Sequence, residues 1–243
     1  MKTDHKTAKW TLILFVWCGV RAHATPSTII WIPSVDIQPY KSFHLGIDNY
    51  SLDYKRGTAG SGTAFPTDLG LTVGILPTNA VQAEAGVDYF TPQLSPFMVN
   101  AKIGIPEGAL ADWSPAIVVG GFDFGFKKNA TDYNIFYGMA GKTFPVLGRL
   151  EAGYYDGNRN LLVDAATGRA DNNGILLSWD RQMNEISEHL WIAIDYQSGQ
   201  SVFGAFSYGF AWAFSKNVSV IFARDVFNAG IASAFTLQLD INI

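Results

Sequence analysis

The feature that most constrains this fold is a run of about ten residues, at the C-terminus, in which apolar and polar side chains alternate. Phe235, Leu237, Leu239, Ile241 and Ile243 form the apolar row, opposite Ala234, Thr236, Gln238, Asp240 and Asn242. Because successive side chains of a β-strand point to opposite faces, the pattern predicts a strand with one apolar face. That face must meet either a second sheet or lipid.

A second alternating run favours lipid over a second sheet. Its bulky row is entirely aromatic, whereas its other row is small: Phe206, Tyr208, Phe210, Trp212 and Phe214 oppose Ser207, Gly209, Ala211 and Ala213. A barrel wall in hydrocarbon needs bulky apolar groups outside, and the space inside is limited. A soluble β-sandwich is the alternative. It would have to bury an unusual aromatic surplus, 14% of the chain, with only 16% charged residues.

Runs of this kind recur along the whole chain and predict an all-β fold, a transmembrane antiparallel up-and-down β-barrel of about twelve strands. The predicted strands are 42–54, 65–76, 80–90, 97–105, 115–126, 131–142, 148–157, 174–182, 189–197, 201–214, 217–227 and 232–243. An even strand number places both termini on the periplasmic side. The longest connectors, 55–64 and 158–173, then lie on the outer side, and 106–114 is a rather long inner connector.

The first 24 residues have the pattern of a cleaved signal peptide. Three lysines precede an apolar stretch, Trp10 to Val20, and Ala22-His23-Ala24 matches the small-residue cleavage pattern. The apolar stretch is too short to cross a membrane as a helix. The predicted organisation is therefore a signal peptide (1–24), a lead-in or mouth segment (25–41) and the barrel (42–243).

Removal of the signal peptide changes the chemistry of the chain. The single cysteine, Cys18, leaves with it, as do four of the 17 basic residues and one of the 21 acidic residues, which makes the net charge −7. An acidic chain disfavours nucleic-acid binding, which needs a basic surface. Residues 25–41 do not alternate cleanly, because an apolar run ends at Pro33. They fit a periplasmic lead-in, an extra strand or a segment folded into the barrel mouth.

These features together resemble the Gram-negative outer-membrane β-barrels, over nearly all of residues 42–243. The resemblance implies export to the cell outer membrane, contact with outer-membrane lipid and insertion by the barrel-assembly machinery. One departure concerns the last residue. Proteins of this class usually end in an aromatic residue that the assembly machinery reads, whereas this chain ends in Ile243.

The inward rows of the predicted barrel carry more acidic than basic side chains, and Asp68, Asp180 and Asp225 add to the acidic excess. The candidate lumen-lining residues are Glu84, Asp88, Lys102, Asp123, Lys142, Arg149, Glu151, Asp195 and Asp240. A carboxylate-rich lumen favours cations over anions, unless these charges pair across strands. Phe136, Tyr155, Trp191 and Phe203 are predicted to point inward and narrow the lumen. The sequence predicts a narrow porin-like channel for small solutes; a non-conducting structural or adhesive barrel is the alternative.

The sequence contains no clear catalytic or cofactor motif. Only Ser42 with His44, or Ser187 with His189, could share a strand face, and no G-x-S-x-G is present. The run from Asp156 to Asn160 begins like a calcium loop but lacks its glycine and its closing glutamate. We therefore predict no enzyme activity, no catalytic residue, no metal and no cofactor. A lipid hydrolase that uses His44 or His189 is the third alternative.

Overall fold

The computed structural model describes residues 27–52 and 64–243, whose strands form one closed antiparallel barrel. The twelve strands are β1 Phe43–Leu52, β2 Thr67–Gly74, β3 Gln82–Thr91, β4 Phe97–Ile105, β5 Ala116–Gly125, β6 Asp132–Phe144, β7 Gly148–Asp156, β8 Asn173–Gln182, β9 Leu190–Gln197, β10 Ala205–Ala213, β11 Val218–Phe227 and β12 Ala234–Asn242. Each strand pairs with the next, and β1 pairs with β12. The predicted all-β, up-and-down barrel is confirmed. Within the described residues, no helix is long and apolar enough to span a membrane.

Closure of the barrel removes the free strand edges. Phe43 donates its backbone N–H to Ile243 O at 2.9 Å, and Ile243 N–H returns a bond to Phe43 O at 2.8 Å. Unpaired backbone groups cost several kcal/mol each in hydrocarbon, so closure is what allows strands to cross lipid. The largest shift from the predicted bounds is at β10, which begins at Ala205. Residues 201–204 form a turn instead, closed by Gly204 N–H donating to Ser201 O.

The two faces of the wall follow the alternation in the sequence. On β10 the outward aromatic side chains are 38–43% exposed, whereas the inward small residues are buried or half-buried. On β12, Phe235 and Leu237 are exposed, but Gln238 and Asp240 are 1% exposed. On these two strands the outer face is therefore apolar and the inner face small or polar, as the wall of a lipid-embedded barrel requires.

The two ends of the barrel differ in what they carry. We call the end at which β1 begins and β12 ends the terminal end, and the opposite end the loop end. The connector between β7 and β8, residues 157–172, lies at the loop end. The predicted signal peptide (1–24) and most of the predicted connector 55–64 lie outside the described residues.

Residues 27–41, which we call the inner segment, occupy the barrel lumen. Its side chains Ile29, Ile32 and Val35 are at most 3% exposed and pack in one apolar core with inward residues of the wall. The segment leaves at the terminal end, where it passes over Gly74. A Cβ at position 74 would lie 2.0 Å from Pro39 O, so only glycine fits there. The segment is folded into the barrel, where it extends along the lumen rather than only across the mouth.

Candidate functional site

The predicted lumen residues face the interior, with one exception. The interior contains Glu84, Asp88, Lys102, Asp123, Arg149, Glu151, Asp195 and Asp240. Their directions follow from strand alternation. Their partners do not, because five of these eight side chains have a partner on the inner segment: Glu84, Lys102, Arg149, Glu151 and Asp195.

The exception is on β6, where the inward row is the opposite of the predicted one. Tyr137 is buried at 8% exposure and Phe136 is 60% exposed on the outside. Lys142 therefore lies on the outward row and pairs with Glu107 in the β4–β5 connector, Nζ to Oε1 2.8 Å. The rule that bulky residues face out assumes a lumen without apolar filling. Along β6 the inner segment provides that filling, so the inward row is itself apolar.

The Asp195 carboxylate holds the tip of the inner segment. Its Oδ2 accepts the backbone N–H groups of Ile30 and Trp31 at 2.8 Å each, and that of Ile32 at 3.4 Å. Successive N–H groups that converge on one oxygen form an anion-binding concavity. Gln238 supports the same turn by donating Nε2–H to Ile30 O at 2.8 Å. The acidic side chain thus compensates for backbone donors that would otherwise be unpaired in the lumen.

A buried ion pair holds the middle of the segment. Lys102 Nζ lies 3.3 Å from Glu84 Oε1 and donates to the carbonyl oxygens of Ser27 and Ser34. Glu84 Oε2 in turn accepts the backbone N–H of Gln38 at 2.6 Å. The pair is 4% exposed at Lys102 and 3% at Glu84. Each charge therefore meets both its counter-charge and the backbone of the segment, as burial requires.

A second group of charges lies beside the segment on β7 and β8. Arg149 Nε is 2.9 Å from Glu151 Oε1 and 2.8 Å from Asp180 Oδ1, and its Nη1 pairs with Asp36 of the segment. Glu151 Oε2 accepts Val35 N–H at 3.2 Å. The wall carboxylates here are compensated by an arginine and by a backbone donor.

Trp31 fixes the segment at the loop end. Its ring lies between 5.1 and 6.3 Å, centroid to centroid, from four aromatic rings of the barrel: Tyr50, Phe65, Phe203 and Phe227. Its Nε1–H donates to Phe203 O at 2.8 Å. Since Gln38 lies at the terminal end, hydrogen-bonded to Asn242, the segment crosses most of the length of the lumen.

A cavity of about 250 Å³ remains beside the segment, mainly against β1 to β5. Carboxylates and aromatic rings dominate its lining. The carboxylates are Asp48, Asp68, Glu84, Asp88, Asp123 and Asp240. The basic groups in the lining are Lys102, paired with Glu84, and His44, whose Nε2 is 3.5 Å from Asp240. We call this space the acidic cavity.

Sequence reasoning missed Asp48 as a lining residue. The signal was present, because Leu45 and Ile47 alternate with Gly46 and Asp48 along β1. The backbone of residues 30–38 was also missed as a functional surface. No residue-type pattern marks a backbone amide as the partner of a distant carboxylate.

The two histidines have partners other than serine. His44 Nδ1 lies 3.1 Å from Asn242 Oδ1, and the Ser42 hydroxyl donates to Gln38 Oε1 and to Pro39 O. His189 is exposed and lies against the Trp212 ring, 5.7 Å between centroids. Within residues 27–52 and 64–243 neither histidine ring bonds a serine hydroxyl. The same part of the chain contains no group of three or more acidic, histidine or cysteine side chains placed to hold a metal ion.

Comparison with known proteins identifies the architecture. No family model and no curated protein matches the chain. A KdgM porin superposes with a TM-score of 0.53 at 7% identity, over 82% of this chain and 98% of that one. The chain has the fold of a porin. A NanC porin gives a TM-score of 0.48 at 11% identity over 82% of this chain and 98% of its own, and Salmonella typhi OmpF gives 0.42 at 8% over 83% and 97%. This porin-like barrel thus shares its architecture, and little sequence, with the KdgM porin.

Proposed function

We propose that this porin-like barrel lies in the outer membrane and conducts small solutes through a lumen that the inner segment narrows. One observation carries the proposal: wall carboxylates hold the segment along the lumen, and the acidic cavity is the space left beside it. The apolar outer rows support contact with outer-membrane lipid, and the fold supports insertion by the barrel-assembly machinery.

The acidic lining supports a preference for cations. Asp48 and Asp68 are directly opposite each other on β1 and β2, and Asp88 and Asp123 border the same space. Carboxylates in a narrow, low-dielectric space lower the energy of a passing cation and raise that of an anion. We expect a reversal potential of the cation-selective sign in a KCl gradient. The double variant Asp48→Asn with Asp68→Asn should move it toward zero, and Asp112→Asn, in an exposed connector, should not.

The role of the segment can be tested with a reversible lock. A Cβ at position 141 would lie 2.8 Å from Val35 Cγ2, so cysteines at 35 and 141 are close enough to bridge. Cys18 is the one native cysteine and would be absent or replaced by serine. In planar bilayers the oxidised Val35→Cys, Gly141→Cys protein should show the smallest single-channel conductance, and reductant should raise it. Val35→Cys alone should not respond to reductant.

The alternative, a non-conducting structural or adhesive barrel, makes a different prediction in the same bilayers. It predicts no single-channel steps from the wild type or from the reduced double-cysteine protein. It also predicts none from Asp195→Asn, in which the hydrogen bonds from residue 195 to the backbone of the segment are weakened. That outcome would refute the channel. Equal conductance of the oxidised and reduced double variant would refute the role given to the segment.

A further inference from the structure

The acidic cavity contains more negative charge than its surroundings balance. Lys102 forms an ion pair with Glu84, and the His44 ring lies 3.5 Å from the Asp240 carboxylate. The remaining carboxylates of the lining are Asp48, Asp68, Asp88 and Asp123, and the described lining contains no further lysine or arginine. Like charges that share a buried site ionise together only when a counter-charge is present.

Among these side chains, Asp123 gives the strongest indication of a ligand site. It is 9% exposed, it lines the cavity, and it has no hydrogen-bond or ion-pair partner among the described residues. Asp88, by contrast, accepts a bond from Asn100 Nδ2 at 2.6 Å. A buried carboxylate without a partner is costly. A ligand with a positively charged group would provide the counter-charge and the hydrogen-bond donor that Asp123 lacks among the described residues.

A bulge in β5 directs Asp123 into the cavity. The register shifts between Phe122 and Phe124 against β6, and Asp123 has φ 55°, in the left-handed region. As a result the consecutive residues Phe122 and Asp123 both line the cavity, which regular alternation does not allow. Bulges of this kind re-aim a side chain and are typical of sites.

The shape and walls of the cavity favour an organic cation over a bare metal ion. The described carboxylates do not converge closely enough to hold a metal. The aromatic residues Tyr50, Phe122 and Tyr133 line the same cavity, and aromatic faces attract ammonium groups. The cavity is also several times larger than the roughly 30 Å³ that one water occupies.

We propose that the acidic cavity binds a small organic cation with primary ammonium groups, of the aliphatic diamine class. Asp123 and Asp88 would accept one ammonium group, and Asp48 with Asp68 would accept the other. The inference deepens the proposed cation preference. It concerns binding, however, and does not require that the barrel conducts.

Isothermal titration of putrescine into the folded, detergent-solubilised full chain at low salt tests the proposal. We expect one saturable site, and no saturable heat from 1,4-butanediol or succinate, which match putrescine in length but are neutral and anionic. Asp123→Asn removes the charge and keeps a residue that tolerates positive φ. It should weaken putrescine binding by roughly tenfold or more, as expected for loss of a charge-assisted hydrogen bond.

Asp112→Asn, the same chemical change in an exposed connector, should leave putrescine affinity unchanged. Asp48→Asn provides a second cavity variant, and heat-modifiable gel migration shows whether each variant is folded. Equal affinity of the Asp123→Asn and Asp112→Asn proteins would overturn the proposal. So would saturable binding of Ca²⁺, but not putrescine, with the same Asp123 dependence. Binding without single-channel steps would keep the site and refute the channel; steps without binding would do the reverse.

Discussion

The two sides of the lumen contain the same kind of residue in opposite conditions. On the packed side, β7 to β9, Glu151 and Asp195 accept backbone N–H groups of the inner segment and are 3% and 1% exposed. On the cavity side, β1 to β5, Asp48 and Asp123 have no such donor among the described residues and border an open space. Each side is lined by inward carboxylates; on the cavity side Glu84 accepts a backbone N–H group of the segment, whereas Asp48, Asp68, Asp88 and Asp123 accept none among the described residues.

The difference shows that two things must be known about a carboxylate of the wall: whether its side chain points into the lumen, and whether it binds the inner segment there. Strand alternation sets the direction. The role depends on whether a donor from the inner segment reaches the oxygen. With such donors, the carboxylate stabilises a packed lumen; without them, it leaves a negative field in a low-dielectric space, which suits a mobile cation.

The largest expected effect tests the packed side. Asp195→Ala removes the acceptor of three backbone N–H groups. Each orphaned buried donor costs roughly 1–3 kcal/mol, so the segment should lose several kcal/mol of docking free energy. Amide hydrogen exchange at Ile30 and Ile32 should show this as lost protection. Asp225→Ala is the matched control: Asp225 is 0% exposed on the same inner surface but has no bond to the segment.

If both variants lost protection equally, Asp195 would be acting only as one buried polar group among others. The contrast between the two sides of the lumen would then have no energetic basis. Retained protection in Asp225→Ala, with loss in Asp195→Ala, would establish that the hydrogen bonds to the segment are what matters.

A smaller loss is expected at the loop end of the segment. Trp31→Ala removes a ring packed among four aromatic rings, together with its hydrogen bond to Phe203 O. Truncation of a well-packed tryptophan costs roughly 3 kcal/mol or more. The same exchange measurement should detect it. Trp113→Ala, at a 78% exposed position, should change nothing; a comparable loss there would indicate a general effect of removing tryptophan.

The sequence predicted the strands of the barrel wall far better than the packing of the inner segment in the lumen. The pairing of adjacent runs with period-2 alternation is local information, so β4 was predicted with the observed bounds, 97–105. Burial directions followed as well, as for Glu151 and Asp240. The rule failed on β6, because the direction of Phe136 depends on what fills the lumen, and the filling comes from residues about 100 positions earlier in the chain.

The site itself was predictable only in its charge. An acidic lumen follows from composition and alternation. The hydrogen bond from the Ile30 backbone N–H to Asp195, however, joins residues that are 165 positions apart in the sequence. The bulge at Asp123 is equally invisible, since Phe122-Asp123-Phe124 reads as regular alternation. Both depend on tertiary packing, which sequence periodicity does not encode.

A pair of glycine variants sharpens the comparison further. On the packed side, a Cβ at Gly141 would lie 2.8 Å from Val35 Cγ2 and 3.0 Å from Glu151 Cγ. On the cavity side, a Cβ at Gly46 would meet only His44 Nε2, at an ordinary 3.6 Å. Gly141→Ala should therefore destabilise the barrel by about 1–2 kcal/mol through overpacking, whereas Gly46→Ala should be neutral. Thermal unfolding in detergent measures both. Equal shifts would mean that the cavity side is as tightly packed as the other.

The smallest effect is expected for Glu107, a carboxylate that lies in the β4–β5 connector and belongs to neither side of the lumen. Partial burial raises the pKa of Glu107, but the hydrogen bonds and charge of Lys142 and Thr143 outweigh it and hold that pKa below its ordinary value. A lowered folded-state pKa contributes stability above the unfolded-state pKa, and the contribution is lost as pH falls through the folded-state value. Glu107→Gln should therefore lower the free energy of unfolding at neutral pH by less than about 1 kcal/mol, seen as a slightly lower unfolding temperature, and should have no such effect in strong acid. Glu188→Gln, at an exposed turn of the same end, is the control. A Glu107→Gln effect as large at acidic pH as at neutral pH would mean that its geometry, rather than its charge, stabilises this end of the barrel.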